Sequence, residues 1–326
     1  MGIFDHLMLK EIHDQPVAIS NVLGGRISSN GKRAGLQGFE LTPDEMKNLE
    51  RINLIGCGTA YFAAQIGEIY IRKLSKINVQ SFRSSEFPDK HVCGKNTLTI
   101  GISQSGETKD TLDALQAARV SGGHISSICN VIGSTMARFT GNGAYLHAGP
   151  EFSVASTKAF SNMIAALTIF SIQVARSRSL SKEKGKQIIN GLQQIPHLIE
   201  QYLANQGPIM EAVELVKNAK SVLFLGRGIS APVAKEGALK LMEVAYIPCL
   251  AYPAGEMKHG PIALLEEGSP VIFIVPNDHV KAKSVSAIHE CRARGAKIIL
   301  IHEQGDDISQ EGDINIAIPK VNNYLS

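Results

Sequence analysis

Residues 103–108 read Ser-Gln-Ser-Gly-Glu-Thr, and hydroxyls set that closely can grip an anion. The apolar run Leu98 to Ile102 precedes them and Asp110 to Val120, patterned like a helix, follows, so the segment predicts a strand, a turn and a helix start. Such a turn aims the Ser103, Ser105 and Thr108 hydroxyls and several unpaired amides at one point, where the helix dipole adds roughly half a positive charge. That point suits a phosphate. The segment has no Walker lysine and is not G-x-G-x-x-G, which favours a phosphate on a small metabolite over a nucleotide. Taken alone, the same hydroxyls also suit an ordinary helix cap.

Proton-transfer chemistry has its own candidates. The stretch Val233 to Tyr246 reads as a helix on which Glu236, Lys240 and Glu243 stand at i, i+4 and i+7 and share a face. Ala234, Ala238, Leu239, Leu241, Met242 and Ala245 cover most of the rest, so the helix reads as mainly buried. A carboxylate beside an ammonium there can move protons. A solvent-facing stripe of ion pairs satisfies the same spacing. In Ala254 to Pro261, His259 is followed by Gly260 and Pro261, which predicts an imidazole exposed at a rigid corner, able to act as acid or base near neutral pH. Loop histidines are often incidental, and spacing alone does not bring His259 to Glu243. Glu151 to Phe160 sets a carboxylate, three hydroxyls and a lysine ahead of an apolar helix at 161–175, as caps or as ligands for sugar hydroxyls.

A repeat organises the elements that carry these residues. Arg51 to Thr59 is echoed by Ser221 to Ser230, each an apolar strand ending in Gly-x-Gly and entering a helix. Leu98 to Ile102 recurs as Val271 to Val275, and Ile125 to Cys129 as Ile298 to Ile301. Short apolar strands alternating with helices predict an α/β fold of two tandem parallel sheets, each with helices on both faces. Sites in such sheets lie beyond the carboxyl ends of the strands. Gly56-Cys57-Gly58-Thr59, the 103–108 turn and Gly226-Arg227-Gly228 all fall there. In the second half the matching turn is Pro276-Asn277-Asp278-His279, without the hydroxyls and with an added acid.

The expected organisation is an opening helix (Phe4 to Leu23) and polar loop over 1–45, a first domain over 46–180, helical connectors over 181–217 with a break near Gln206-Gly207-Pro208, and a second domain over 218–326. A length of 326 residues, 44% hydrophobic and 19% charged, suits two soluble domains. The 33 basic and 30 acidic residues are scattered, so nothing marks a nucleic-acid or anionic-membrane surface. Five cysteines without C-x-x-C spacing read as reduced thiols in a cytosolic protein; Cys57 sits in a glycine turn, a place that suits a reactive thiol and equally a small buried one. No signal peptide opens the chain, and the apolar stretch Met163 to Ala175, interrupted by Thr168, Ser171 and Gln173, is shorter than a membrane span and reads as a buried helix.

In this order, Ile102 to Thr108, Val154 to Phe160, Glu236 to Lys240 with Glu243, and Gly255 to Pro261 resemble the sugar isomerase (SIS) half of the glutamine:fructose-6-phosphate aminotransferase family. Leu7 to Pro16 resembles the segment that follows the glutaminase domain in that family. The resemblance implies two flavodoxin-like SIS domains in a cytoplasmic enzyme that makes glucosamine 6-phosphate from fructose 6-phosphate without metal or cofactor. By resemblance Ser103, Gln104, Ser105 and Thr108 hold the phosphate and Val154 and Ser156 line the sugar, with Gly58, Thr59, Gly106 and Ala155 completing the substrate-binding set. Glu243 is then the base between C1 and C2, Lys240 stabilises the enolamine charge, Glu236 completes the network, and His259 opens the ring while reaching the neighbouring site of a homodimer. Three departures stand out. Ala60 replaces the family's usual serine, the glutaminase domain would precede Met1, and a tail with a Schiff-base lysine would follow Ser326. Release of ammonia from glutamine is therefore not expected of these residues alone. Other readings are a glucosamine-6-phosphate deaminase of the same fold, and a sugar-phosphate-binding module without turnover.

Overall fold

The computed structural model describes residues 4–28, 30–87, 93–322 and 325. Asn323, Tyr324 and Ser326, in the stretch ahead of the expected tail, lie outside them. The chain divides into two units, Met1–Pro196 and His197–Ser326.

The first unit opens with α1 (Leu7–His13), α2 (Gln15–Leu23) and α3 (Pro43–Asn48). Where one helix was expected over Phe4 to Leu23, two form, because Pro16 at the start of α2 has no N–H to continue the ladder of α1. Next come β1 (Arg51–Gly56), α4 (Thr59–Ser75), β2 (Asn78–Arg83), β3 (Thr97–Ser103), α5 (Lys109–Val120), β4 (His124–Cys129), α6 (Thr135–Thr140) and β5 (Gly143–Tyr145). The helices α7 (Lys158–Arg176) and α8 (Lys182–Leu203) follow, and the division between units falls within α8 at Pro196.

All five strands pair in parallel in the order β2-β1-β3-β4-β5. The central strands are apolar on both faces because helices cover both: Ile52, Leu54, Ile55, Leu98, Ile100 and Ile102 are fully buried. Ile52 faces Leu98 across the β1–β3 ladder, which fixes the register. The buried Asn53 amide donates to Thr99 Oγ1 at 3.3 Å. The helix expected within Met163 to Ala175 extends over Lys158–Arg176, long and apolar enough to cross a membrane by length and composition. Its Met163, Leu167, Phe170 and Val174 are instead buried, and Phe170 stacks on Phe39 at 4.8 Å.

The second unit contains α9 (Gly207–Val216), β6 (Val222–Gly226), α10 (Ser230–Ala245), β7 (Cys249–Pro253), β8 (Pro270–Val275), α11 (Lys281–Arg292), β9 (Lys297–Glu303) and β10 (Ile314–Ile318). Its parallel sheet runs β10-β9-β8-β6-β7. From the opposite edge this is the order of the first sheet, and both follow the 2-1-3-4-5 winding of flavodoxin. The repeat is therefore a repeat of topology. Each winding reverses direction at its first strand, between β1 and β3 in one unit and between β6 and β8 in the other. In folds of this winding, ligands bind in the crevice outside the carboxyl ends of those strands.

Candidate functional site

The turn after β3 is built by its own side chains. Ser103, buried at the strand end, accepts the Gly106 N–H on its hydroxyl at 3.0 Å and lies 3.2 Å from the Thr108 hydroxyl. Ser105 Oγ accepts the Glu107 N–H at 3.2 Å. Thr108 occupies the cap position of α5, yet its hydroxyl caps no amide of that helix. Thr108 therefore does not act as a plain cap of α5, while Ser103 and Ser105 accept amides within the turn itself. Gly106 has φ +69°, and a Cβ there would stand 2.2 Å from Ser134 Oγ, so both conformation and space require glycine. Backbone bonds tie the turn to the next loop: Asn130 N–H donates to the Gln104 carbonyl at 3.1 Å and Met136 N–H to that of Gly106 at 2.9 Å. The Thr135 N–H donates to Glu107 at 2.9 Å and holds its carboxyl below the usual range.

Beside the turn lies a cavity of about 230 Å³ lined by Ser103, Gln104, Ser105, Thr108, Thr59 and Ser156, with Cys57, Ala60, Ile102 and Met163 completing the wall. Four turn residues, the first residue of α4 and one hydroxyl from the loop before α7 thus converge. Gly58 and Gly106, both at positive φ, shape the flanking backbone and do not line the cavity. A Cβ on Gly56 would approach the Ala60 carbonyl carbon to 2.8 Å, so the first glycine of Gly-x-Gly lets α4 start hard against β1. Cys57, singled out only for its glycine turn, and Met163, taken only as core, both face the cavity. For Cys57 the signal was its place between two glycines at a strand end.

The loop before α7 is organised by a carboxylate. Glu151 accepts the Ser156 hydroxyl at 2.9 Å, the Thr157 N–H at 2.9 Å and the Ala159 N–H at 3.2 Å, so it caps α7 where the Thr157 side chain does not. With its proton given to Glu151, the Ser156 hydroxyl presents lone pairs to the cavity. Val154 is 91% exposed and Ala155 is buried, and neither lines the cavity. A wider cleft of about 1010 Å³ shares Gln104 and is bordered by Asn130, His147, Glu151 and Phe152.

In the second unit α10 carries the expected triad. Lys240 Nζ is 2.7 Å from Glu243 Oε2 and 3.5 Å from Glu236 Oε1. Glu236 is buried, Lys240 largely so, and Glu243 has about a third of its side chain exposed (32%). The trio therefore runs from the interior to the surface, which differs from a solvent-facing stripe. The expectation of a mainly buried helix holds for its first half, with Pro232, Ala234 and Ala238 inside. In the second half Met242 and Val244 are exposed, as is Tyr246 just after the helix, because an apolar pattern does not say which apolar side a neighbour covers. His259 ends a 3-10 helix, Ala254–His259, anchored by the buried Met257, and Gly260 at φ 137° turns the chain behind it. It is exposed as expected, and among the described residues no hydrogen bond joins it to Glu243. After β8, Asp278 Oδ1 accepts the Val280 N–H at 2.9 Å, so this turn holds a carboxylate of its own.

The SIS domain family profile matches residues 45–172 and 215–326, one match over each parallel sheet. The chain belongs to the SIS domain family. The first SIS domain holds the hydroxyl turn and the second holds the carboxylate and lysine trio on α10. Glutamine–fructose-6-phosphate aminotransferase (isomerizing) of Chlorobaculum tepidum is 41% identical over 321 residues, 98% of this chain and 52% of that protein. The protein of that name from Thermus thermophilus is 39% identical over 328 residues, 100% of this chain and 54% of that one. The chain thus spans about half the length of the curated relatives it matches. Among solved structures, the C-terminal domain of glucosamine-fructose-6-phosphate aminotransferase from Francisella tularensis matches with a TM-score of 0.92 and 32% identity, over 99% of this chain and 91% of that one. The similarity therefore lies with the isomerase half of those enzymes, as the motifs implied. A glucosamine-6-phosphate deaminase from Thermotoga maritima shares the fold, with a TM-score of 0.71 and 21% identity.

Proposed function

We propose that this chain binds fructose 6-phosphate and forms glucosamine 6-phosphate by moving a proton between C1 and C2. One observation carries the reading: the hydroxyls of Ser103, Ser105 and Thr108 gather at the start of α5, whose amides the Thr108 side chain does not cap, beside a cavity also lined by Thr59 and Ser156. Donors without an internal acceptor at a helix N-terminus fit a phosphate, and Ser156 fits a hydroxyl of the sugar attached to it.

The chemistry follows from charge. Ammonia adds to the C2 carbonyl and water leaves, giving an imine. Glu243 takes a proton from C1, the enolamine forms, and the proton returns to C2 as the C1 hydroxyl becomes a carbonyl. Lys240, 2.7 Å from Glu243, stabilises the negative charge that develops, and Glu236 holds Lys240 from the buried side. His259 opens the sugar ring, and its exposure suits a site shared with a second copy in a homodimer. The proposed setting is cytoplasmic. Gly58, Gly106 and Ala155 act through the backbone, and Val154 offers an apolar surface to the sugar.

The test is product formation from fructose 6-phosphate with and without ammonium, for the unsubstituted chain and for Glu243→Gln. Loss of a general base lowers turnover about 10²- to 10⁴-fold while sugar-phosphate affinity stays within a few-fold. Turnover that survives the substitution removes Glu243 from its role. Tight binding with no turnover in either protein supports a binding module instead.

A further inference from the structure

We infer that Glu11, on α1, is a positioning residue that fixes the sugar-facing loop before α7. Its carboxylate is 3% exposed although it belongs to a helix at the start of the chain. One oxygen accepts the Phe152 N–H at 2.7 Å, both lie 3.4 Å from the Ser153 N–H, and the Ser153 hydroxyl also donates to it. A buried carboxylate is retained at such a place only when donors surround it, and here donors of a single loop do so. Behind it the same segment is stitched to α7. Asp14 meets Lys158 at 3.2 Å, Gln15 accepts the Ser161 hydroxyl at 2.8 Å, and Asn162 donates to the Ala18 carbonyl at 2.8 Å. These contacts hold α2 and the residue before it against α7, and Glu11 on α1 reaches forward to the loop.

Glu11 grips residues 152 and 153, and Glu151 grips 156, 157 and 159. Val154 lies between the two grips, 91% exposed. An apolar side chain held in water from both sides is pre-set for a ligand, because ordering of the loop is complete before binding. Glu11 does not line the cavity, and its hydrogen bonds go to Phe152 and Ser153, so its effect falls on the loop proposed to receive the sugar. This rests on the proposed sugar-phosphate reading for the identity of the ligand, and on geometry alone for the clamp.

The experiment compares the whole chain with Glu11→Ala, Glu11→Gln and Ser153→Ala. Amide exchange is read at Phe152, Ser153, Thr157 and Ala159, and affinity is measured for fructose 6-phosphate and for inorganic phosphate. In Glu11→Ala, exchange accelerates at Phe152 and Ser153 and stays near wild type at Thr157 and Ala159. Affinity for fructose 6-phosphate falls about tenfold, the scale of a lost charge-assisted hydrogen bond, while inorganic phosphate binds within twofold of wild type. Glu11→Gln and Ser153→Ala fall between wild type and Glu11→Ala on both readouts. Unchanged exchange at Phe152 and Ser153, or equal losses for the two ligands, overturns the clamp. Exchange that rises throughout the loop and α7 together overturns it as well, because Glu11 is then only a docking contact of α1. Wild-type protein that binds fructose 6-phosphate no better than inorganic phosphate overturns the ligand's identity instead, and the exchange pattern then decides the clamp.

Discussion

Gly106 is constrained twice, by φ +69° and by Ser134 Oγ only 2.2 Å from where a Cβ would stand. Ala at this position must both adopt a left-handed backbone and displace the cap of α6. Each costs about 1–3 kcal/mol, so Gly106→Ala is expected to lower unfolding free energy by at least about 2 kcal/mol in urea titration. Phosphate affinity is expected to fall with it, since the Ser103 and Thr108 hydroxyls are set by the same turn. An unchanged urea midpoint would show that the turn rearranges without cost. At this scale the sequence was most readable where partners are near along the chain. Ser103, Ser105 and Thr108 lie within six residues, and Glu236, Lys240 and Glu243 within eight. Glu11 was not readable, because its partners lie more than 140 residues away. Glu151 was visible as a carboxylate ahead of a helix, but its capping of α7 depends on a loop closing back on itself.

Among the elements, α7 binds the first unit together. Phe170 is fully buried and stacks on Phe39, which belongs to the segment between α2 and α3. Phe170→Ala removes that support and leaves a cavity, an expected loss of about 3–5 kcal/mol measured by chemical unfolding. Limited proteolysis should then cut first within residues 26–40, the segment Phe39 pins down. Cleavage elsewhere would place the support in another contact. The strands at the centre of each sheet, β1, β3, β4, β6, β8 and β9, were legible as apolar runs because both their faces are buried. The edge strands β2, β5 and β7 were not, since they are partly exposed and short or mixed in pattern. The edge strand β10 carries the alternation Ile314-Asn315-Ile316-Ala317-Ile318, a strand signal of only five residues. The split of the opening helix was written in Pro16, whose effect depends on its falling one residue into a new turn.

For the molecule as a whole, the charges set an acid limit. Burial raises the Asp14 carboxyl, but hydrogen bonds from Lys10 and Lys158 outweigh it and hold the group below its ordinary value. The Lys281 ammonium does the same for Asp307, and the Thr135 N–H for Glu107. A carboxyl lowered on folding stabilises the folded state above its unfolded pKa, near 4, and that contribution is lost as pH falls through the lowered folded value. Glu303, raised first by burial, works in the opposite sense. Melting temperature is therefore expected to hold through neutral pH and drop below about pH 4. Glu107→Gln should melt lower than wild type at pH 7, with the gap closing toward pH 3. A gap that stays constant with pH would show that the charge of Glu107 contributes nothing.

Asp278 gives the duplicated architecture a further meaning. Its carboxylate accepts a backbone N–H at the turn that corresponds to residues 103–108, beside the start of α11. The second copy of the winding thus gives a backbone N–H to a carboxylate where the first copy gives its N–H groups to the Ser103 and Ser105 hydroxyls. A tethered group competes at high effective concentration and is never diluted away. Two copies of one topology then differ in charge at the same turn, hydroxyls in the first and a carboxylate in the second, and on the proposed reading titration calorimetry is expected to count one sugar phosphate per chain.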